Sequence, residues 1–266
     1  MEPLVIWKGE RKPFVPALLP LLPRKFGTYY EPFFGGGSLY CAVNSESAVL
    51  SDVNGSLMNL YKQARRNSGL LVAWLCKYQN FYNGFTDIED KKKDYALRVA
   101  RYNQGLKAAQ YDIEDAALLI YLNKLAENHL YHLNDASLFD VPLGGDAKVE
   151  LFDLANLYGF SEHLQTAQIL VGDYEVCAGK AKKNDFIYLD PPELNDTDSF
   201  VFDTFSLKEH ERLAKFFTKM DKKGVYCMVT TSDSEQIQKL YRNYRVDEIV
   251  SRDDPSKRCF VIRNYA

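Results

Sequence analysis

The chain has 266 residues, a formal net charge of −3 and 46% hydrophobic residues. That is the size of one α/β domain with an inserted subdomain, and it excludes a protein held on nucleic acid by bulk charge. No uninterrupted apolar run is long enough to span a bilayer. Glu2, Lys8 and Glu10 near the start, with no small-residue cleavage pattern, predict no signal peptide. The five cysteines (Cys41, Cys76, Cys177, Cys227 and Cys259) are scattered without a Cys-x-x-Cys pair. They predict reduced thiols, no metal site and a cytoplasmic or nuclear setting.

In chain order, residues 1–27 open with Trp7-Lys8-Gly9-Glu10-Arg11-Lys12, and the apolar spacing of Leu18, Leu19 and Leu22 predicts a helix. Tyr29-Tyr30-Glu31-Pro32-Phe33-Phe34-Gly35-Gly36-Gly37-Ser38 reads as the end of a buried strand, a glycine loop and then a helix. Glycines there let the backbone take positive φ and let a ligand come close, although a plain glycine turn has the same composition. Val49-Leu50-Ser51-Asp52-Val53-Asn54 is a strand ending in an acid a little under 20 residues past the glycines, where a ribose hydroxyl is gripped in nucleotide-binding sheets. A helix is predicted from Gly55-Ser56 with Asn54 or Ser56 as cap, and Asn59 and Tyr61 are expected at its surface or edge.

Residues 61–150 read almost wholly helical, with Leu70, Leu71, Trp74, Leu75 and Tyr78 on one face. Lys91-Lys92-Lys93, Arg98 and Arg101 alternate with Asp87, Glu89, Asp90 and Asp94 and are expected on a solvated helix face. The segment from Asn128-His129-Leu130-Tyr131-His132-Leu133-Asn134 to Phe139-Asp140-Val141-Pro142 follows. Next come a helix, the strand Gln168–Val171 and Gly172-Asp173-Tyr174. Phe186-Ile187-Tyr188-Leu189-Asp190-Pro191-Pro192 is an apolar strand ending in a carboxylate, with two prolines restricting the next turn. An acidic loop (Asp196, Asp198, Phe200, Phe202, Asp203) precedes a helix capped by Ser206 that carries His210, to which a structural role is assigned. The strand Tyr226–Val229, a turn at Thr230-Thr231-Ser232-Asp233, a helix and two closing strands, Val246–Val250 and Phe260–Arg263, complete the chain.

Taken in order, the glycine loop, Asp52 and Asp190-Pro191-Pro192-Glu193 resemble the Dam-like DNA adenine N6-methyltransferases, which use S-adenosylmethionine (SAM); the likeness runs from about Trp7 to Tyr265. The resemblance implies a Rossmann-like SAM-dependent methyltransferase sheet, α/β in class, with an inserted mainly helical subdomain. On that reading, 1–60 and 151–266 form the SAM-binding catalytic domain and 61–150 the DNA-recognition subdomain. It further implies SAM contacts at Trp7, Arg11, Glu31, Phe33, Gly35, Gly37, Asp52, Asp173, Tyr174 and Asp190. Catalysis falls to Asp190, Pro191, Pro192 and Glu193, and double-stranded DNA is contacted through Asn128, His132 and Asn134. The activity implied is methyl transfer to adenine N6 in DNA, as in restriction–modification or phage systems.

The chain departs from the family at five positions in these motifs. Glu10 and Arg11 stand for a glycine and a lysine, and Glu193 stands for an aromatic residue. His129 and His132 stand for the glycine and arginine of a DNA-contacting hairpin. A base flipped out of the stack offers its amino group to an acid and a proline carbonyl, which Asp190 and Pro191 still supply. Glu193 has no π face to stack on that base, and histidine cannot reproduce an arginine fork on guanine. The resemblance and these departures together leave an active adenine methyltransferase, a methyltransferase with another acceptor, and a lapsed relative that keeps the fold as a binding or scaffolding protein; a plain α/β nucleotide-binding domain that matches by chance is the remaining alternative.

Overall fold

Alternating apolar strands and helices build one mixed sheet with a separate helical body. The computed structural model describes residues 1–9, 11–145, 147–194, 205–231 and 235–266; Glu10, the 195–204 acidic segment and Ser232-Asp233 lie outside the described residues. The strands are β1 (Tyr29–Glu31), β2 (Ala48–Asp52), β3 (Ala167–Val171), β4 (Phe186–Leu189), β5 (Tyr226–Thr231), β6 (Arg245–Val250) and β7 (Arg258–Arg263). They lie in the order β3-β2-β1-β4-β5-β7-β6. The first five run parallel and β7 is antiparallel to both its neighbours. This is the α/β sheet expected, closing antiparallel hairpin included.

Position in the sheet explains composition. Central β4 is buried along its whole length and is uniformly apolar, as a strand covered on both faces must be. Edge strand β6 is largely exposed and carries Arg245, Asp247 and Glu248, charges that discourage pairing with another chain.

The chain divides into two compact units, Gly9–Val53 with Thr166–Ala266, and Met1–Lys8 with Asn54–Gln165. In the first, the sheet unit, the expected N-terminal helix is reduced to 3-10 turns at Lys12–Phe14 and Leu19–Leu21 around one short helix, α1 (Val15–Leu18). Pro13, Pro16 and Pro20 each remove a backbone donor, so no longer helix can close. The second, the helical unit, contains α2 (Gly55–Arg66), α3 (Ser68–Gly84), α4 (Ile88–Ala108), α5 (Ile113–Leu125) and α6 (Leu154–His163). Asn54 caps α2 as expected, accepting from the Leu57 N–H at 3.0 Å.

Two expectations about this unit are corrected. Asn59 and Tyr61 are buried, because α2 packs against α3, α5 and α6 rather than lying at an edge. The Asn59 amide is satisfied there by donating to the Asp112 carbonyl at 2.8 Å. The basic stretch is only partly solvated. Lys92 and Lys93 are exposed, but Lys91 is buried over the Tyr82 ring and Arg101 bonds to Asp112, Glu114 and Asp115. On α3, Leu71, Leu75 and Tyr78 form the buried stripe, and Leu70 lies outside it. The sheet unit is completed by α7 (Tyr174–Ala178), α8 (Leu207–Lys222) and α9 (Glu235–Leu240).

Candidate active site

The strand order reverses between β1 and β4, and ligands of open parallel sheets bind outside the carboxyl ends of the strands at that reversal. Three acids lie at carboxyl ends there: Glu31 ends β1, Asp52 ends β2 and Asp190 follows β4. After Glu31 the chain enters the glycine loop, with Gly35 at φ 47° and Gly37 at φ 69°. A Cβ on Gly37 would come within 2.5 Å of the Phe34 ring, so both backbone angle and space demand glycine. The helix expected after the loop is absent; a 3-10 turn, Tyr40–Ala42, takes its place. Only Ser38–Val43 separates Gly37 from the polar Asn44–Ser47 run, less than two helical turns and too short to offset nucleation. Asp52 reaches back into the loop and accepts from the Gly35 N–H at 3.1 Å, tying the tip of β2 to the loop.

Asp190 is held by its Oδ1 atom. Arg11 Nε donates to it at 2.8 Å and Thr230 Oγ1 at 2.7 Å. Tyr188 and Thr230 hydroxyls lie 2.9 Å apart; since the Thr230 proton goes to Asp190, Tyr188 is the donor to Thr230. Oδ2 has no protein donor among the described residues. The other edge of the Arg11 guanidinium, through Nη2, meets Glu193 Oε1 at 2.5 Å. Glu193 Oε2 lies 3.5 Å from the Thr231 hydroxyl. Arg11 therefore bridges the first and last residues of the Asp-Pro-Pro-Glu turn. Burial alone would lower its pKa, but Asp190 and Glu193 outweigh that and keep it well above the ordinary arginine value. Burial raises the Asp190 pKa, with Arg11 and Thr230 pulling the other way.

Glu31 is buried, accepts from the Tyr29 hydroxyl at 2.7 Å and is bonded by the Tyr40 backbone. No basic side chain among the described residues pairs with it, and burial lifts its pKa to about 8. Asp173 caps α7, accepting from the Glu175 N–H at 2.8 Å, and is also paired with Arg212 of α8. Arg212 further meets Glu175 and Glu209 and lies 4.6 Å over the Tyr174 ring. Tyr174 is buried against Phe33, with ring centroids 5.3 Å apart. Glycine loop and β3–α7 turn are thus joined through an aromatic contact.

The remaining expected residues lie in the helical unit. Asn128, His132, Asp140 and Pro142 line one surface concavity. His132 Nδ1 is bonded to Asp140. Asn134 is exposed but engaged within its own loop: its side chain accepts from the Ala136 and Leu138 N–H groups at 3.0 and 3.2 Å. Trp7 stacks on Tyr131, ring centroids 4.9 Å apart.

Sequence reasoning missed Thr230, Tyr188, Arg212 and Asp140. Tyr188 and Asp190 are two residues apart, a period-2 signal that was available. Apart from the i,i+3 pair of Arg212 with Glu209, the others lie 8–40 residues from the groups they hold, with no local pattern to announce them.

A family model for D12 class N6 adenine-specific DNA methyltransferases matches residues 7–254. The Type II methyltransferase M1.LlaDCHI of Lactococcus lactis subsp. cremoris is 30% identical over 256 residues, covering 94% of this chain and 87% of that protein. The Type II methyltransferase M.MjaIII of Methanocaldococcus jannaschii is 29% identical, covering 95% and 92%. A DNA adenine methylase of Haemophilus influenzae is 25% identical, covering 97% and 90%.

Proposed function

Because this chain belongs to the D12 class N6 adenine-specific DNA methyltransferases, we propose that the acids at the carboxyl edge of its sheet divide the work of that reaction, methyl transfer from SAM to adenine N6 in DNA. The observation that carries the assignment is at Asp190. Its Oδ1 is anchored by Arg11 and Thr230, and its Oδ2 has no protein donor among the described residues. An adenine amino group is a poor nucleophile because its lone pair is delocalised into the ring. Asp190 Oδ2 and the Pro191 carbonyl are the two acceptors that draw its hydrogens aside and turn the nitrogen lone pair outward. Much of the rate effect is then positioning, and little general-base strength is needed.

The residues at the β1 edge suit SAM. Glu31 is a buried acid with no cationic partner among the described residues, which complements the ammonium group of the cofactor. The Gly35–Gly37 loop supplies close backbone approach. Asp52, Phe33, Asp173 and Tyr174 complete the cofactor contacts expected within the sheet unit. SAM, when bound, supplies a methyl group on positively charged sulfur. Glu193 has a different task from the aromatic it replaces: it anchors Arg11, and through Arg11 it holds Asp190 Oδ1.

The 61–150 subdomain is assigned to target recognition on double-stranded DNA, with Asn128 and His132 facing the concavity and Asn134 shaping the loop. His132 cannot offer the bidentate fork of an arginine, so this contact is weaker than the family's. A protein acting on DNA works in the cytoplasm or nucleus.

Calorimetric titration with S-adenosylhomocysteine, followed by tritium transfer to unmethylated DNA with the modified base identified, tests the assignment. Binding with N6-methyladenine as product is expected. Binding without transfer favours a relative that keeps the fold as a scaffold. Transfer to another atom assigns a different acceptor.

A further inference from the structure

Pro191 and Pro192 carry no N–H, so the turn that presents Asp190 cannot be pinned by its own backbone donors at these two positions. It depends on donors brought from elsewhere. Arg11, Thr230 and Thr231 hold the side chains at its two ends. The carbonyl in its middle is faced by His210, in the first turn of α8.

The His210 ring is buried, only 1% exposed, and packs edge-on against Phe205 with centroids 4.7 Å apart. It is directed at the Pro192 carbonyl and lies in the field of the Glu193 carboxylate. Its Nε2 atom is sealed from solvent and closes no hydrogen bond among the described residues. Burial lowers the ring's pKa, so the imidazole is neutral, with one N–H and one lone pair. A buried polar atom without a closed bond gives up its hydration without replacement. Leucine or phenylalanine would fill the same core position without that cost, so packing alone does not account for a histidine here.

We propose that His210 is a positioning residue of the methyl-transfer reaction, whose ring N–H closes on the Pro192 carbonyl when the site is loaded and thereby fixes the orientation of the neighbouring Pro191 carbonyl and Asp190. Catalytic hydrogen bonds are often loose before substrates bind and tighten in the working complex. The inference rests on the assignment of Asp190 and the Pro191 carbonyl as the acceptors of the amino hydrogens.

Two variants and one spectroscopic measurement test it. His210→Phe keeps a ring and removes the donor, and His210→Gln restores an N–H at the reach of Nε2. In single-turnover assays at saturating S-adenosylmethionine, His210→Phe should transfer methyl about tenfold to a hundredfold more slowly, the range expected for misplacement of a reacting group. Its affinity for S-adenosylhomocysteine should stay within about twofold of wild type, since only a step after cofactor binding is touched. His210→Gln should recover part of the lost rate. Long-range proton–nitrogen NMR of the wild-type complex with S-adenosylhomocysteine should show one neutral tautomer with a protected N–H for the histidine missing from the His210→Phe spectrum. Unchanged transfer by His210→Phe overturns the proposal, and so does a solvent-exchanging mixture of tautomers. If wild type itself transfers no methyl, the Asp190 assignment fails, and the NMR result alone decides whether His210 holds the turn.

Discussion

The Asp190–Glu193 turn of the sheet unit and the 126–144 loop of the helical unit are both irregular segments rich in polar residues, but they are held by opposite means. The turn hangs on side chains: Arg11, Thr230, Thr231 and His210 approach it from α8, β5 and the N-terminal segment. The loop is gripped by its own backbone groups, which bond to one another and to the side chains of Tyr95, Asn103 and Asn123 on the neighbouring helices. Antiparallel bridges Ala126–Leu143 and Leu133–Phe139 close it, Glu127 N–H donates to the Pro142 carbonyl at 3.0 Å, and Asn134 braces its tip. A segment held by backbone tolerates new side chains, so His129 and His132 can occupy it without loss of shape. His129 even sits at φ 56°, a left-handed conformation that suits the glycine of the resembled family better. A segment held by charged side chains must change in matched sets, which is how Arg11 and Glu193 stand to each other here.

The comparison is sharpened most by Asp190→Asn. An amide presents a donor where the amino group needs an acceptor, so methyl transfer should fall by about 10²- to 10⁴-fold, with S-adenosylhomocysteine binding retained. Calorimetry alongside a tritium-transfer assay separates the two quantities, and equal activity would remove Asp190 from the mechanism.

Arg11→Ala comes next. It strands two largely buried carboxylates, and breaking such a pair from one side costs about 3 kcal/mol. Urea unfolding of the variant measures it. Loss of under about 1 kcal/mol, the worth of a surface pair, would show that the turn is not held by this bridge.

Glu31 gives a pH effect. Its folded pKa of about 8 exceeds the ordinary value of 4.5, so the folded state binds the extra proton between those limits. The stability it contributes is complete below about pH 4.5 and is lost as pH rises through 8. A ligand ammonium placed at Glu31 should reverse this by expelling the proton. Up to about 0.9 of a proton should be released per S-adenosylhomocysteine bound at pH 7. Titration in buffers of different ionisation heat reads that number, and Glu31→Gln should abolish the release. A proton count of zero in wild type would separate Glu31 from the ammonium.

The smallest effect belongs to the loop. His132→Arg should leave stability within about 0.5 kcal/mol, as for other surface changes. If its charge reaches a phosphate, it should steepen the dependence of DNA affinity on salt by about one unit of slope. Anisotropy titrations over a salt series check this, and an unchanged slope would take His132 off the DNA-facing surface.

The features legible before folding are the local ones. Acids at strand tips, glycines after β1 and capping residues before helices are patterns within a few residues, because strand period, positive φ and cap geometry act over that range. On this basis Glu31, Asp52 and Asp190 are found at the carboxyl edge of the parallel strands, and Asn54 and Ser206 at helix starts. Local pattern also misled. Leucine spacing before β1 suggested a helix that three prolines forbid, and Asn59 looked like a surface residue because nothing nearby indicates that α2 is enclosed by three other helices.

What the sequence determined by itself was the order of motifs, the class of sheet and the acids at its edge. Only the tertiary structure decided how those acids are used. Arg11 is 179 residues from Asp190 and 182 from Glu193, and Thr230 is 40 from Asp190. Which of two carboxylate oxygens is anchored, and which is left for a substrate, depends on where the folded sheet brings donors from distant strands, and no local rule encodes that.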